Sequence, residues 1–425
     1  MNALKKILSS LLVSSMALSI SPISADAANT TTYYAYSIGV NHGTTYSGLT
    51  GDFTPNVLYA NTCYGMISGI SSYYNTMPTI SYMKGNNPAG VRRIGSSVVF
   101  ANGHANPTEL VFNYNNEGGN YDTGIYYGYD TTNDVGLLST NMSGVDLISF
   151  VGCSTGAGTT NLPSRAVSQG ANSAVGFTDS ISSRTTNGQG WCRKYNDALA
   201  NGYTIANSIS YATACYPASN LGTYATIYGS STNVLSSGGY VSSTGDFEEL
   251  YTTDVEVPID GLETVNGIMA NDLGESYTLL FDEIKDIEPT FDPDDYSAYV
   301  NMFSENDDNG MIVFKYMIGD KVETNYSFVA SVSNGTVTSI SRYFDEKPVA
   351  DESNIIERAN KFSFSDADRE SYAKSLNISV SDISDESGFY FYDYNTGKLT
   401  YEKSIYYIAK EAGNVNIENS YSIEL

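Results

Sequence analysis

The chain has 425 residues, a net charge of −26 and an unusual number of tyrosines, 36 in all. A chain of this length is too long to fold around a single hydrophobic core, so we predict two or three domains. The acidic balance excludes functions that need a positively charged surface, such as binding nucleic acid or anionic lipid.

The first residues have the pattern of a cleaved bacterial secretory leader. Lys5 and Lys6 precede an apolar stretch from Ile7 to about Ile20, and small residues follow at 24–28. That stretch is too short to span a bilayer, and no later segment approaches such a length. We therefore expect residues 1–28 to be a signal peptide and the mature protein to be secreted, without a membrane span.

Charge divides the rest of the chain into two regions. Residues 29–245 carry nine acidic and seven basic side chains, whereas residues 246–425 carry 37 acidic and 12 basic ones. The Ser- and Gly-rich stretch from Ser236 to Gly245 lies at the changeover and is typical of a linker. We predict one domain at 29–235, a linker at 236–250 and an acidic domain at 251–425.

The first region alternates predicted strands and helices. Strands are expected at 33–40, 79–83, 98–101, 145–151, 173–177 and 224–229. Helices are expected at 54–70, 161–169 and 191–214, the second of them closed by Gly170. A polar loop rich in Gly and Tyr is expected between His104 and Val145. This alternation predicts an α/β fold with a mainly parallel sheet and helices on both faces.

In the second region the predicted strands come in adjacent pairs instead of alternating with helices. This order predicts a smaller α+β domain. Strands are expected at 311–317, 322–332, 337–344, 389–394 and 398–409, and helices at 351–361 and 365–376. Turn residues at 333–336 and 395–397 join the strands into two strand-turn-strand units. These units indicate a weak internal duplication.

Two predicted strands end at a histidine and at a cysteine. Val98–Ala101 leads into Asn102-Gly103-His104, and Val145–Val151 leads into Gly152-Cys153. Catalytic groups gather beyond the carboxyl ends of parallel strands, so these two side chains are expected to meet. Histidine is the usual base for a cysteine nucleophile, and a helix expected directly after Cys153 would favour its thiolate. The alternative is a buried structural cysteine beside an unrelated histidine.

The segments 98–104, 137–156 and 161–177 resemble the caspase/gingipain/legumain clan of cysteine peptidases (clan CD), and most closely its CHAT-like branch. The resemblance covers residues 33–230 and implies a caspase-like fold, with His104 as base and Cys153 as nucleophile in peptide hydrolysis. It also implies that the backbone amides of Cys153 and Ala105 bind the oxyanion. The family usually has glycine directly after the histidine, where this chain has Ala105.

Three further residues are candidates for a substrate pocket. Asn41 and His42 follow the first strand and could orient the imidazole of His104, although a capped turn is the favoured alternative. Asp179 follows the strand 173–177, where it would select Arg or Lys by charge pairing or would cap the next helix.

Metals and cofactors are not expected, because the chain has no CxxC pair and two histidines. The acidic runs at 292–295 and 306–309 lack the EF-hand spacing and are better explained as solvated turns. Among the four cysteines, Cys192 and Cys215 could form a disulfide.

The sequence thus predicts a secreted cysteine endopeptidase whose substrates are proteins or peptides. The alternatives are a catalytically inactive caspase-like surface or binding protein and a transpeptidase that uses the same Cys-His pair. The acidic domain faintly resembles PepSY-type modules and is expected to bind the peptidase domain or a surface component. Latency is expected to come from this domain or from cleavage between His104 and Val145.

Overall fold

A computed structural model describes residues 33–41, 51–112, 124–235, 250–304, 308–376, 378–409 and 415–425. The predicted signal peptide, His42 and almost all of the predicted linker lie outside these residues. Within the described ranges, no helix combines the length and the apolar character needed to cross a membrane.

The strands fall into two sheets. In chain order they are β1 (Tyr33–Gly39), β2 (Ile70–Asn75), β3 (Val98–Asn102), β4 (His104–Asn106), β5 (Glu109–Val111), β6 (Gly124–Tyr126), β7 (Val135–Gly136), β8 (Leu147–Val151), β9 (Ser173–Phe177), β10 (Ala225–Gly229), β11 (Tyr251–Pro258), β12 (Val265–Met269), β13 (Tyr296–Met302), β14 (Gly310–Ile318), β15 (Val322–Ser333), β16 (Thr336–Arg342), β17 (Ile383–Asp393), β18 (Lys398–Ala409) and β19 (Val415–Glu424).

Some helices pack on the two faces of the first sheet, and others pack against the second sheet. In chain order they are α1 (Thr54–Gly65), α2 (Ile80–Lys84), α3 (Leu162–Ser168), α4 (Thr186–Ala200), α5 (Ile205–Cys215), α6 (Asn220–Tyr224), α7 (Thr278–Ile287), α8 (Glu352–Lys361) and α9 (Asp366–Ser375).

The first sheet has six strands in the spatial order β2-β1-β3-β8-β9-β10. All neighbours are parallel except β10, which is antiparallel to β9. Central strands of this kind are buried on both faces, which explains why β3 and β8 are apolar except at Asn102 and Ser149. Val98 and Phe100 pack with α1, α4 and α5 on one face, and Val99 and Ala101 with α2 and α3 on the other. The predicted mainly parallel α/β sheet with helices on both faces is confirmed.

Some predicted elements of this region were wrong. Residues 79–83 form helix α2 rather than a strand, because the Thr79 hydroxyl caps it by accepting from the backbone N–H of Tyr82. The helix predicted at 54–70 ends at Gly65, and Ile70 begins β2. The stretch 191–214, by contrast, was predicted to hold one or two helices, and it holds two, α4 and α5, the first of which begins earlier, at Thr186.

The second sheet has 13 strands and is not confined to the acidic region. Its main path runs β12-β13-β14-β15-β17-β18-β19-β4-β5-β6-β7, while β16 pairs with β15 and β11. The two predicted strand-turn-strand units are confirmed as the pairs β15–β16 and β17–β18. Strands β4–β7 come from the stretch after His104 that was predicted to be a loop. The second sheet therefore crosses the predicted domain boundary.

The two regions also share an apolar core. Tyr299, Phe303 and Val329 of the acidic region belong to the same buried cluster as Trp191 and Ile209 of the first region. Strand β15 packs against α5. The backbone N–H of Ile227 on β10 donates to the carbonyl of Phe303, at 2.6 Å. The acidic region thus covers the β10 edge of the first sheet, an edge that would otherwise be open to pairing.

Candidate active site

The pairing of β3 with β8 places His104 and Cys153 at equivalent positions past two neighbouring strands. Asn102 pairs with Val151, and the backbone N–H of Gly103 extends the ladder by donating to the Val151 carbonyl at 3.1 Å. His104 and Cys153 each follow this pair by two residues. The two predicted catalytic residues are therefore brought to the same edge of the sheet.

Gly152 allows the two strand ends to come into contact. A Cβ atom built on Gly152 would lie 2.6 Å from the Cβ of Ala105 and 2.7 Å from the carbonyl oxygen of Gly103. Contacts this short do not occur between real side chains, so only glycine fits beside Ala105. The methyl group of Ala105, where the clan usually has glycine, is thus accommodated by the glycine that precedes Cys153.

Cys153 lies at the start of a tight turn with a strained backbone. Ser154 has φ 58°, and only two other non-glycine residues in the described part of the chain have positive φ. The Thr155 hydroxyl donates to the Phe150 carbonyl at 2.8 Å, and the backbone N–H of Ser154 donates to the Asp179 carbonyl at 2.9 Å. Such strain persists where surrounding contacts over-determine the backbone, and it is frequent at functional sites.

The helix predicted at 161–169 is confirmed, but it does not begin directly after Cys153. Helix α3 begins at Leu162, with the Asn161 side chain as its N-cap. Its amides therefore cannot stabilise a Cys153 thiolate as the first turn of a helix would.

The imidazole of His104 packs edge-on against an aromatic ring. Its centroid lies 5.0 Å from that of Phe53, with an interplanar angle of 89°. Phe53 directly precedes α1. The guanidinium carbon of Arg184 lies 5.4 Å from the ring centroid of Phe53. One side of the imidazole is therefore positioned by an apolar contact.

Asn102 holds the strand ends together and was missed by sequence reasoning. Its Nδ2 donates to the Val151 carbonyl at 2.7 Å and to the Ser183 hydroxyl at 3.2 Å. Asn56 of α1 donates to Asn102 Oδ1 at 2.9 Å and to the Ser183 carbonyl at 3.0 Å. The sequence does show a polar Asn102 at the end of the apolar strand that leads to His104. The side chain is fully buried in the structure, and buried polar groups need hydrogen-bond partners.

The segment that follows β9 runs alongside the cysteine turn. Cys153 Sγ donates to the carbonyl oxygen of Ile181 at 3.5 Å. Asp179 in this segment is exposed, and its Oδ1 accepts from the backbone N–H of Ser180 at 2.7 Å. Helix α4 is capped instead by Thr185, so the helix-cap alternative for Asp179 was wrong.

Asp179 contributes to an acidic environment at the junction of the two regions. Burial raises the pKa of the Tyr224 phenol, and the carboxylates of Asp179 and Asp385 raise it further. A cavity of about 200 Å³ adjoins this junction, with Ser182, Tyr224 and Glu402 in its wall. The wall of this cavity also holds the ion pair of Lys315 with Glu323, at 2.6 Å, so both acidic and basic groups line it.

The other predicted site residues are less informative. Asn41 is exposed just beyond β1 and forms an isolated antiparallel bridge with Asp52, in keeping with a turn. His42 lies outside the described residues. Ala105 lies within the second sheet, paired with Leu110 on one side and with Asn416 on the other. The oxyanion role of the Cys153 and Ala105 amides stays a prediction.

The other three cysteines lie on helices, Cys63 on α1, Cys192 on α4 and Cys215 on α5. None of the four cysteines forms a disulfide, so the predicted Cys192–Cys215 pair is not present. Cys192 is buried within α4, and desolvation raises the pKa of its thiol. A thiol of raised pKa is mostly protonated at neutral pH, as is typical of an inert structural cysteine.

The predicted catalytic pair is buried, and the C-terminal strands contact residues that lie beside it. His104 is 1% exposed and Cys153 is 3% exposed. The Ser182 hydroxyl, one residue beyond Ile181, lies 2.8 Å from the Ser404 hydroxyl and 3.1 Å from that of Tyr406. The site as folded is therefore closed to a peptide substrate.

Comparison with known proteins does not assign the chain to a family. No family model matches it, and no curated protein matches it either.

Proposed function

We propose that the protein is a secreted cysteine endopeptidase of caspase-like fold that is latent as folded. The observation that carries the proposal is the register of β3 and β8, which sets His104 and Cys153 at equivalent positions beyond adjacent parallel strands. The strained turn at Ser154 and the buried Asn102 network support it, because a structural cysteine requires neither.

The chemistry would follow from the two side chains. His104 takes the proton of the Cys153 thiol, and the thiolate attacks the carbonyl carbon of a peptide bond. The C–N bond breaks as the imidazolium returns the proton to the leaving amine, which leaves a thioester on Cys153. His104 then deprotonates a water molecule that hydrolyses the thioester and restores the thiol.

One observation favours the rival function, an inactive surface or binding protein of the same fold. Both candidate catalytic residues are buried, and Cys153 belongs to a large apolar cluster. A structural cysteine would have the same burial. The rival requires that the site never open.

Labelling with an activity probe separates the two functions. The purified mature protein is treated with a peptidyl acyloxymethyl ketone in the absence and presence of sub-denaturing urea, alongside Cys153→Ala and His104→Ala. We expect labelling at Cys153 that depends on His104. Labelling elsewhere, or none under any condition that leaves the fold intact, would favour the binding protein.

Asp179 is proposed to select a basic residue at the P1 position of the substrate. Its exposed carboxylate lies in the segment that contacts Cys153 and Ser154, and its neighbourhood is acidic. An Arg or Lys side chain pairs with such a carboxylate by a charge-assisted hydrogen bond.

We expect Asp179→Asn to lower cleavage after Arg and Lys by roughly 10-fold or more, the effect of losing one charge-assisted pair. Cleavage after uncharged residues should change little. The measurement is a P1 scan with matched fluorogenic peptides. Asp254→Asn, which removes an exposed carboxylate on β11, is the control for general loss of negative charge. An absent or unaltered basic preference would contradict the pocket assignment.

A further inference from the structure

We infer that the strand pair β18–β19 is a built-in inhibitor of the catalytic edge, held by a cluster of hydroxyl groups. The inference rests on the proposed function, since it names what regulates the same site. Substrate would gain access when this strand pair moves away together with β17, which pairs with β18 along its length and joins β15 only at residues 322–324, while β11–β16 stay in place.

The hydroxyl cluster joins three segments of the chain next to the candidate nucleophile. The hydroxyl of Ser404 on β18 lies 2.6 Å from that of Ser420 on β19. Ser182 is 2.8 Å from Ser404 and 3.3 Å from Ser420, and Tyr406 closes the cluster at 3.1 Å from Ser182. Ser182, Ser404 and Tyr406 are buried, so these hydroxyl groups bond to one another in place of water.

The position of the cluster relates it to Cys153. Ser182 directly follows Ile181, whose carbonyl accepts the hydrogen bond of Cys153 Sγ. Tyr406 belongs to the same buried cluster as Cys153 and Ile181. The strand pair therefore covers the segment that runs beside the nucleophile.

The same strand pair also reaches the strand that carries the candidate base. On β19, Asn416 pairs with Ala105, the residue that follows His104. The covering element thus contacts both sides of the catalytic edge, at residue 105 and at residue 182. An extended peptide that entered beside residue 105 or residue 182 would have to displace it.

The contact has the character of a reversible closure. Its hydrogen bonds join neutral hydroxyl groups, and the net stabilisation from each such bond is small because water replaces it on opening. Between the described residues, β4 and β19 are joined by the single register pair of Ala105 with Asn416. Opening would expose Tyr406 of the shared core, whereas separation of the two regions would expose Tyr299, Phe303 and Val329 as well. Local opening of β18–β19 therefore costs less than separation of the two regions.

The test is to break the hydroxyl cluster in the full chain and to follow the Cys153 thiol. Ser404 and Ser420 are directly opposite each other on β18 and β19, so the double variant Ser404→Glu/Ser420→Glu places two carboxylates face to face. Both would be desolvated in the closed state, which disfavours closure. We expect alkylation of Cys153 by iodoacetamide, mapped by mass spectrometry, to become at least about 10-fold faster.

A charge-matched variant controls for added negative charge. Ser375 and Ser381 are exposed and are not members of the cluster, so Ser375→Glu/Ser381→Glu should leave the Cys153 alkylation rate as in the wild type. Cys192 and Cys63, both buried, should stay protected in every variant that is folded.

Three outcomes decide the inference. Rapid alkylation of Cys153 in the wild type, or an unchanged rate in the folded diglutamate variant, would overturn it. If loss of Cys192 protection shows that this variant is unfolded, Ser404→Ala/Ser420→Ala replaces it, and an unchanged rate there overturns the inference equally. Faster alkylation without any peptide hydrolysis would uphold the cover and overturn the proposed peptidase instead.

Discussion

Replacing both Cys153 and His104 by alanine is expected to lower peptide hydrolysis no further than either single replacement does. Each single variant should lose roughly 10³-fold or more in kcat/KM. The two residues would act as one unit, because the thiol is a poor nucleophile without the base and the base has nothing to activate without the thiol. The second replacement therefore has little left to remove.

The measurement is kcat/KM on a fluorogenic peptide, made in the Ser404→Glu/Ser420→Glu background so that the site is open. Cys192→Ala is the matched control, because it removes a cysteine that is buried to a similar degree but lies in α4. Its activity should remain within a few-fold of the parent, provided that the variant is folded. Losses that multiply in the double variant would contradict a dyad, and three unchanged rates would contradict catalysis altogether.

The first sheet could be predicted from the sequence because its signals are local. Strands such as β3 and β8 are mostly apolar runs, and a strand buried on both faces needs no partner to be recognised. The end of each run also marked His104 and Cys153 as residues at one edge. Short or polar elements were predicted incorrectly. The segment 79–83 has a strand-like pattern, but the Thr79 hydroxyl caps a short helix there.

The second sheet and the closure of the site could not be predicted in this way. Strands β4–β7 are two or three residues long and lie in a polar stretch, and β4 finds its partner on β19 some 300 residues later in the chain. Pairing over such a distance leaves no periodic pattern in either segment. Ser182, Ser404 and Ser420 meet for the same reason, and each of them alone is an ordinary serine.

Removal of residues 246–425 is expected to destabilise the α/β region strongly, because the two regions share one core. The deletion removes Tyr299, Phe303, Val329 and Tyr406 from the cluster that contains Trp191. Each fully buried side chain of this kind contributes about 1.5–3 kcal/mol. We therefore expect the free energy of unfolding to fall by about 5 kcal/mol or more, a large share of what a typical domain has.

Hydrogen bonds at the β10 edge would be lost as well. Asn301 donates through Nδ2 to the carbonyls of Gly222 and Ala225, at 2.7 and 2.9 Å, and the Ile227 N–H donates to Phe303. The deletion leaves β10 as an open edge, which promotes aggregation. By thermal unfolding, we expect residues 29–245 alone to melt at least about 10 °C below residues 29–425, or to precipitate.

Co-expression of residues 29–245 and 246–425 as separate chains is the control that distinguishes a shared core from a missing linker. The two pieces should associate and restore most of the melting temperature, because the apolar contacts do not depend on chain continuity. An isolated 29–245 fragment that melts within a few degrees of the longer chain would contradict the shared core. It would show instead that the acidic region is an independent domain, and the closure over Cys153 would then have to persist through the contacts of β18–β19 alone.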